Sequence, residues 1–391
     1  MSVTAAQGFV AAGVAAGIKS TGAKDVALVV NEGPSKVAAG VFTTNRIEAA
    51  PVTWSRQVVE DGRADVVILN SGGANACTGP EGFADTHRTA EHVASALQSA
   101  GREVAAGDVV VCSTGLIGVR LPMDTLLSGA DAAIAGLSGD GGDDAAQGIM
   151  TTDSVPKKAV AGRDGWTVGG MAKGAGMLAP GMATMLCVVT TDAQVDASTA
   201  KAALASAVSQ TLNRVDSDGC MSTNDTVVLM ASGASGAAPD PSAFEAELTA
   251  VLASLSRQLV ADAEGAGHDI AVTVENATTE AAAEAVARAI TRSNLFKTAI
   301  FGNDPNWGRI ISAAGTVPED VAPYDATTID VVVNGVQVCR NAGVGDDRDL
   351  VDLSGREVQV IVDLKAGDAS ATVWTNDLTH DYVHENSAYS S

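Results

Sequence analysis

The stretch Lys173-Gly-Ala-Gly-Met-Leu-Ala-Pro-Gly-Met-Ala-Thr184, running on into Met-Leu-Cys-Val-Val-Thr-Thr191, constrains the fold of this chain more than any other. Its first half consists of glycines, a proline and small side chains, which settle into neither a regular helix nor a strand. Its second half, 184–191, is an apolar, β-branched run that reads as a buried strand closing on Asp192. A conformationally permissive loop therefore hands a threonine hydroxyl to the first position of a core strand, close to the middle of the chain.

Short apolar runs and amphipathic segments alternate over the remainder. Strands are predicted over 66–70, 108–112, 227–230 and 270–275, with 8–19 a strand or part of one. Segments 25–30 and 38–43 read as a hairpin-like pair, and 160–168 as two strands about a turn at 162–165. Helical spacing covers 86–99, 126–137, 145–150, 200–213, 241–261 and 279–291, with Ala90, Val93, Ala94 and Leu97 on one face of the first. Late strands at 328–333 and 358–362 are expected to pair with 371–374. The strand-then-glycine pattern at 66–79 places Asn70 and Asn75 where they can face a ligand. No repeat period is present, and the interleaving points to a mixed α/β or α+β layered fold.

A chain of 391 residues, 46% hydrophobic but only 3% aromatic, must build its core from Ala, Val, Leu and Ile. With 24 basic against 47 acidic residues, its formal charge of −23 repels phosphate backbones and anionic lipid, which makes nucleic acid and membrane poor partners, and neither is expected. Cys77, Cys112, Cys187, Cys220 and Cys339 are scattered, form no Cys-x-x-Cys pair and have no histidine at ligand spacing, so neither a metal site nor a disulfide framework is suggested. Cys112 and Cys187, set in apolar runs, read as core residues. No secretory pattern opens the sequence and no long apolar span interrupts it, so a cytoplasmic location is the expectation.

Familiar catalytic patterns mostly fail. No Gly-x-Ser-x-Gly elbow is available for His268 or any other histidine to serve. Gly174-Ala-Gly176-Met-Leu-Ala179 has the letters of a dinucleotide fingerprint, but Pro180 and a β-branched run follow where a helix is required. The remaining chemistry is a nucleophile made by cutting the chain. Cleavage at Ala183–Thr184 would expose an α-amine, of ordinary pKa about 7.7–8.0, beside its own hydroxyl, a base suited to neutral pH. Threonine is also common at the start of a strand, and the residues alone leave both readings open.

The same stretch closely resembles the self-cleavage motif of the ornithine acetyltransferases, the bifunctional glutamate N-acetyltransferases of arginine biosynthesis. Six further motifs resemble that family in the right order: Ser113-Thr-Gly115, Met150-Thr-Thr-Asp153, Ser222-Thr-Asn-Asp-Thr226, Asp262-Ala-Glu-Gly265, Asp304-Pro-Asn-Trp-Gly-Arg309 and Glu385-Asn-Ser-Ala-Tyr-Ser-Ser391. Gly181 departs from the residue usual in the cleavage motif and leaves the Ala-Thr bond intact. The resemblance implies an αββα sandwich of the N-terminal-nucleophile type, cut into chains 1–183 and 184–391 that build one intertwined unit, and an α2β2 assembly. It implies that Thr184 takes acetyl from N2-acetyl-L-ornithine and passes it to L-glutamate. Some members also accept acetyl-CoA, and no metal or cofactor is implied. Thr114 and Gly115 would form the oxyanion hole. Lys173, Thr184, Glu264, Asn386 and Ser391 would contact substrate, with one of Thr151 and Thr152, the second being preferred. Lys173 suits a substrate carboxylate and Glu264 an ammonium. Asn224, Asp225 and the 304–309 loop carry no derived role beyond shaping the site.

Overall fold

The computed structural model describes residues 2–179 and 185–388; Ala183, Thr184 and Ser391 lie outside the described residues. Two compact units divide the chain. The first runs up to Asn213 and takes in Cys220–Leu259, and the second holds Arg214–Gly219 and the chain from Val260. The division by compactness thus falls elsewhere than at residue 183.

In chain order the first unit contains β1 (Phe9–Val14), β2 (Val26–Asn31), β3 (Val37–Phe42), α1 (Ala50–Val58), β4 (Val66–Ser71), α2 (Gly79–Ser99), β5 (Val109–Thr114), α3 (Met123–Ala135) and α4 (Gly142–Gly148). It continues with β6 (Lys157–Arg163), β7 (Trp166–Lys173), β8 (Leu186–Thr191), α5 (Ala197–Gln210), β9 (Thr226–Ala231) and α6 (Pro241–Ala261). One sheet has the order β1-β2-β4-β5 and the other β3-β9-β8-β7-β6.

Alternation along each strand defines the layers. Val67 and Leu69 of β4, and Val110 and Cys112 of β5, share one core with Leu186 and Val188 of β8 and Val228 and Met230 of β9. The intervening Val66, Ile68, Val109 and Val111 pack with Val93 and Leu97 of α2 and Leu126 and Ala130 of α3. Cys187, Val189, Val227 and Leu229 pack instead with Leu204 and Val208 of α5 and Leu248 and Leu252 of α6. Strands β4, β5, β8 and β9 are each covered on both faces, which is why these segments read as unbroken apolar runs. Two sheets face to face with helices outside make an αββα sandwich. Each buried valine or leucine contributes about 1.5–3 kcal/mol, so this core needs few aromatics. Cys112 and Cys187 sit in it as expected, and burial pushes both thiols up to about 12.

Two expectations about strands of the first unit are corrected. Segments 25–30 and 38–43 do not pair: β2 bonds to β1 and β4, whereas β3 bonds to β9 in the other sheet. The Gly33-Pro34 turn is a corner between sheets. A Cβ on Gly33 would lie 2.5 Å from the Ser232 Cβ, and the Ser35 amide donates to the Ser232 carbonyl at 2.8 Å. Lys173 is the last residue of β7, paired in register with Leu186, so the irregular loop starts only at Gly174.

The second unit contains β10 (Asp269–Ala277), α7 (Glu280–Thr291), α8 (Asn294–Phe301), α9 (Trp307–Ala314), β11 (Asp330–Val333), β12 (Val336–Arg340), β13 (Gly343–Val344), β14 (Glu357–Asp363), β15 (Ala369–Asn376) and α10 (His380–Ala388). Its sheet runs β13-β12-β11-β14-β10-β15. The late strands β14 and β15 do not pair with each other, because β10 lies between them, parallel to β14 and antiparallel to β15. A parallel pair needs a long crossover, and α7–α9 with β11–β13 supply it. Val286, Ile290, Phe296 and Ile300 pack against the sheet.

Gly265 decides how the C-terminal segment docks in this unit. Its φ is +62° and a Cβ would lie 2.1 Å from the Tyr382 amide nitrogen, while its carbonyl accepts the Thr379 hydroxyl at 2.5 Å. Gly265→Ala should therefore lower stability by about 2–3 kcal/mol through strain and displacement. Thermal melting and faster proteolysis near residue 380 would register it; an unchanged melt would refute the contact. No helix among the described residues is long and apolar enough to cross a membrane.

Candidate active site

Lys173 anchors the site from the end of β7. It is 1% exposed, and its Nζ donates to Thr151 Oγ1 at 3.1 Å. Desolvation lowers its pKa to about 8 against the opposing pull of Asp153 and Asp225, with Lys157 and Lys19 adding to the fall. Thr151, not Thr152, is the member of that pair meeting Lys173; Thr152 is exposed.

Asp153 ties this corner together. One of its oxygens accepts from Lys157 Nζ at 2.5 Å and from the Gly174 amide at 2.7 Å, and the other from the Thr151 amide at 2.9 Å. Burial pushes the carboxyl up, but Lys157 and Lys173 more than offset this and hold it below the ordinary carboxylate range. Asp153 was named only as the end of the Met150–Asp153 motif, without a role of its own, and fully buried Lys157 was not named. A charged lysine four residues after an aspartate was a legible signal for an ion pair, though not for its burial.

Thr114 ends β5, and its Oγ1 is buried without a hydrogen-bond partner among the described residues. A buried hydroxyl left unmatched is costly, and a site that binds a transient charge is one place where it serves. The Thr114 carbonyl accepts the amides of Gly72 and Gly73 at 2.9 and 3.0 Å. Gly115 follows with φ +127°, and a Cβ there would lie 2.6 Å from Gly72 C and Gly73 N. Gly115→Ala should thus displace the Thr114–Gly115 amides; on the expectation that they serve an oxyanion, it should slow turnover by at least about tenfold, since one oxyanion donor is worth roughly 3 kcal/mol. A steady-state assay on the folded variant checks this, and unimpaired turnover would refute it.

The Ser222–Thr226 loop joins these parts. Asn224 Nδ2 donates to the Ser113 and Ala74 carbonyls at 2.8 and 2.6 Å. Asp225 Oδ1 accepts the Met185 amide at 3.0 Å and Oδ2 the Ser222 amide at 3.1 Å. The Thr226 amide donates back to the Met185 carbonyl at 3.1 Å. The loop thus links the end of β5 to the residue after Thr184, a role no spacing rule had indicated. Asn70 and Asn75, expected to face a ligand, are consumed internally instead. Asn70 bonds the Gly73 carbonyl and the Ser113 hydroxyl, and Asn75 the Gly82 carbonyl and the Thr86 hydroxyl.

Glu264 and Asn386 belong to the second unit. Glu264 is buried and lines a cavity of about 180 Å³ with Asp218, Arg292, Lys297, Asp377 and Tyr382. Burial lowers the Lys297 pKa against Asp218, Asp216 and Asp377. Asn386 is exposed on α10 and donates to the Tyr382 carbonyl at 3.0 Å. His268 is engaged between Asp377 Oδ2 at 2.8 Å and the Leu353 carbonyl at 3.1 Å, a packing role rather than a catalytic one. Among the described residues no group of His, Cys, Asp and Glu could hold a metal ion.

The profile of the ArgJ family matches residues 10–391. Over 391 residues, with both chains covered in full, the sequence is 60% identical to the arginine biosynthesis bifunctional protein ArgJ of Streptomyces coelicolor. It is 59% identical over 396 aligned positions, again across both chains, to the protein of the same name from Bifidobacterium longum. Among solved structures, a chain of ornithine acetyltransferase from Mycobacterium tuberculosis, crystallised with ornithine, is 62% identical; the match covers 47% of this sequence and 96% of that chain, with a TM-score of 0.46.

Proposed function

The chain belongs to the ArgJ family, and from that premise we propose how its residues carry the family's reaction. It is an acyltransferase of arginine biosynthesis, moving acetyl from N2-acetyl-L-ornithine to L-glutamate. The observation that carries the mechanism is the buried Thr114 hydroxyl beside Gly115, unmatched among the described residues and linked through Asn224 and Asp225 to the amide next to Thr184.

In the cut, Thr184 Oγ attacks the Ala183 carbonyl carbon, the peptide becomes an ester, and water releases chains 1–183 and 184–391. The free α-amine then takes the proton from Oγ as Oγ attacks the acetyl carbon. The Thr114 hydroxyl and Gly115 amide receive the oxyanion. Ornithine leaves with that proton, and the acetyl group stays as an ester on Thr184 until the glutamate amine takes it. Lys173 with Thr151 holds the substrate α-carboxylate by a charge-assisted bond. Glu264 takes an ammonium, and Asn386 and Ser391 complete the substrate contacts. The bifunctional name of its relatives fits acetyl-CoA as a second donor to glutamate. The cut chains assemble as α2β2 and work in the cytoplasm.

Parallel double-reciprocal plots for the two substrates, with one acetyl group added to the mass of chain 184–391 when acetylornithine is given alone, are the expected result. Ornithine release at the same rate without glutamate would instead mark a hydrolase.

A further inference from the structure

We propose that Asp225 is a positioning residue for both the cut and the transfer, its buried carboxylate holding the amide of Met185 and through it the nucleophile at the preceding position. This rests on the assignment of Thr184 above. Asp225 is fully buried, and each of its oxygens faces a different backbone amide, Met185 on one side and Ser222 on the other. Because the Thr226 amide also bonds the Met185 carbonyl, consecutive residues of one loop grip both polar groups of Met185. The other end of the 174–185 loop is held in the same manner, by Asp153 on the Gly174 amide. Two buried carboxylates therefore bracket the proposed cut.

The physical need for such a grip arises when the bond breaks. A new N-terminus frays unless something ties it down, and after the cut Met185 is the residue that joins Thr184 covalently to the rest of its chain. A carboxylate accepts at both oxygens, whereas a carboxamide accepts at one and presents N–H to the other. Burial holds the Asp225 carboxyl well above its ordinary range even against the two amides and Lys173, so the grip rests on the geometry, in which each oxygen faces a backbone N–H. Packing alone would be met by an apolar residue at lower cost. Perturbed buried acids of this kind concentrate at functional sites.

The test is a progress curve of self-cleavage for the full-length chain made in cell-free translation and resolved on denaturing gels. Wild type is compared with Asp225→Asn, Asp225→Ala and Thr184→Ala. The near-isosteric Asn variant is expected to reach the wild-type plateau with a first-order rate constant at least about tenfold lower, and Ala to be slower again. Acetylation of the cleaved Asn variant by acetylornithine, followed by intact mass, should slow by a similar factor. A reduced plateau at an unchanged rate constant, or loss of soluble chain, would assign Asp225 to folding alone and overturn the inference. If wild type itself yields no fragment starting at Thr184, the nucleophile assignment fails and this inference fails with it. Normal Thr184 cutting in both Asp225 variants would sink this inference alone.

Discussion

In Thr184→Ala the chain should stay whole, a single band at 39.2 kDa, and acetyl transfer should fall by at least about four orders of magnitude. Both losses have one cause. In the proposed mechanism the hydroxyl that attacks the Ala183 carbonyl is the hydroxyl that later carries acetyl, so no other residue can restore one function without the other. Fold stability should be unaffected, because both hairpin strands persist, with Lys173 opposite Leu186 and Met185 still bonded to Asp225 and Thr226. A thermal melt equal to wild type, beside an uncut band, is therefore the informative combination. Thr184→Ser keeps the hydroxyl and should cut and turn over at a reduced rate. Normal processing of Thr184→Ala would place the cut elsewhere and remove Thr184 from the mechanism.

Strand and helix positions were largely legible because both faces of most strands in the first unit are covered, so β4, β5, β8 and β9 appear as continuous apolar runs. Strand partners were not. The turn at Gly33-Pro34 has the letters of a hairpin, and only the close approach to Ser232 reveals it as a corner between sheets. Likewise β10 is separated in sequence from both neighbours, and local pattern carries no information about which strand fills the gap between β14 and β15. Among candidate site residues, Lys173, Thr114 and Gly115 were accessible through the family resemblance, and the structure gives each a physical character: a desolvated cation, a buried hydroxyl unmatched among the described residues, a glycine with no room for Cβ. Asp153, Lys157, Asn224 and Asp225 escaped a role because their work is to hold other groups, and that work appears only when the distances are known.

Lys173→Met should lower kcat/KM for acetylornithine by about two orders of magnitude, since removing one partner of a buried, charge-assisted contact costs roughly 2–5 kcal/mol and about 1.4 kcal/mol is tenfold. Methionine fills nearly the same volume, and Asp153 keeps its ion pair with Lys157, so the corner should survive. The pH profile makes the assignment specific. Burial lowers the Lys173 pKa to about 8, so in free enzyme its charge is present below that pH and is lost as pH rises through it. Substrate carboxylate binding should weaken on the alkaline side accordingly. As the proposed base, the Thr184 α-amine should impose the opposite limb, because it can act only once its proton, of ordinary pKa about 7.7–8.0, has left. The product is a narrow bell in kcat/KM with its top near pH 8. In Lys173→Met the alkaline limb should vanish while the acidic limb remains, leaving a rise to a plateau at a much lower level. A variant that keeps the full bell would show that the alkaline limb belongs to another group and that Lys173 does not bind the carboxylate as a cation.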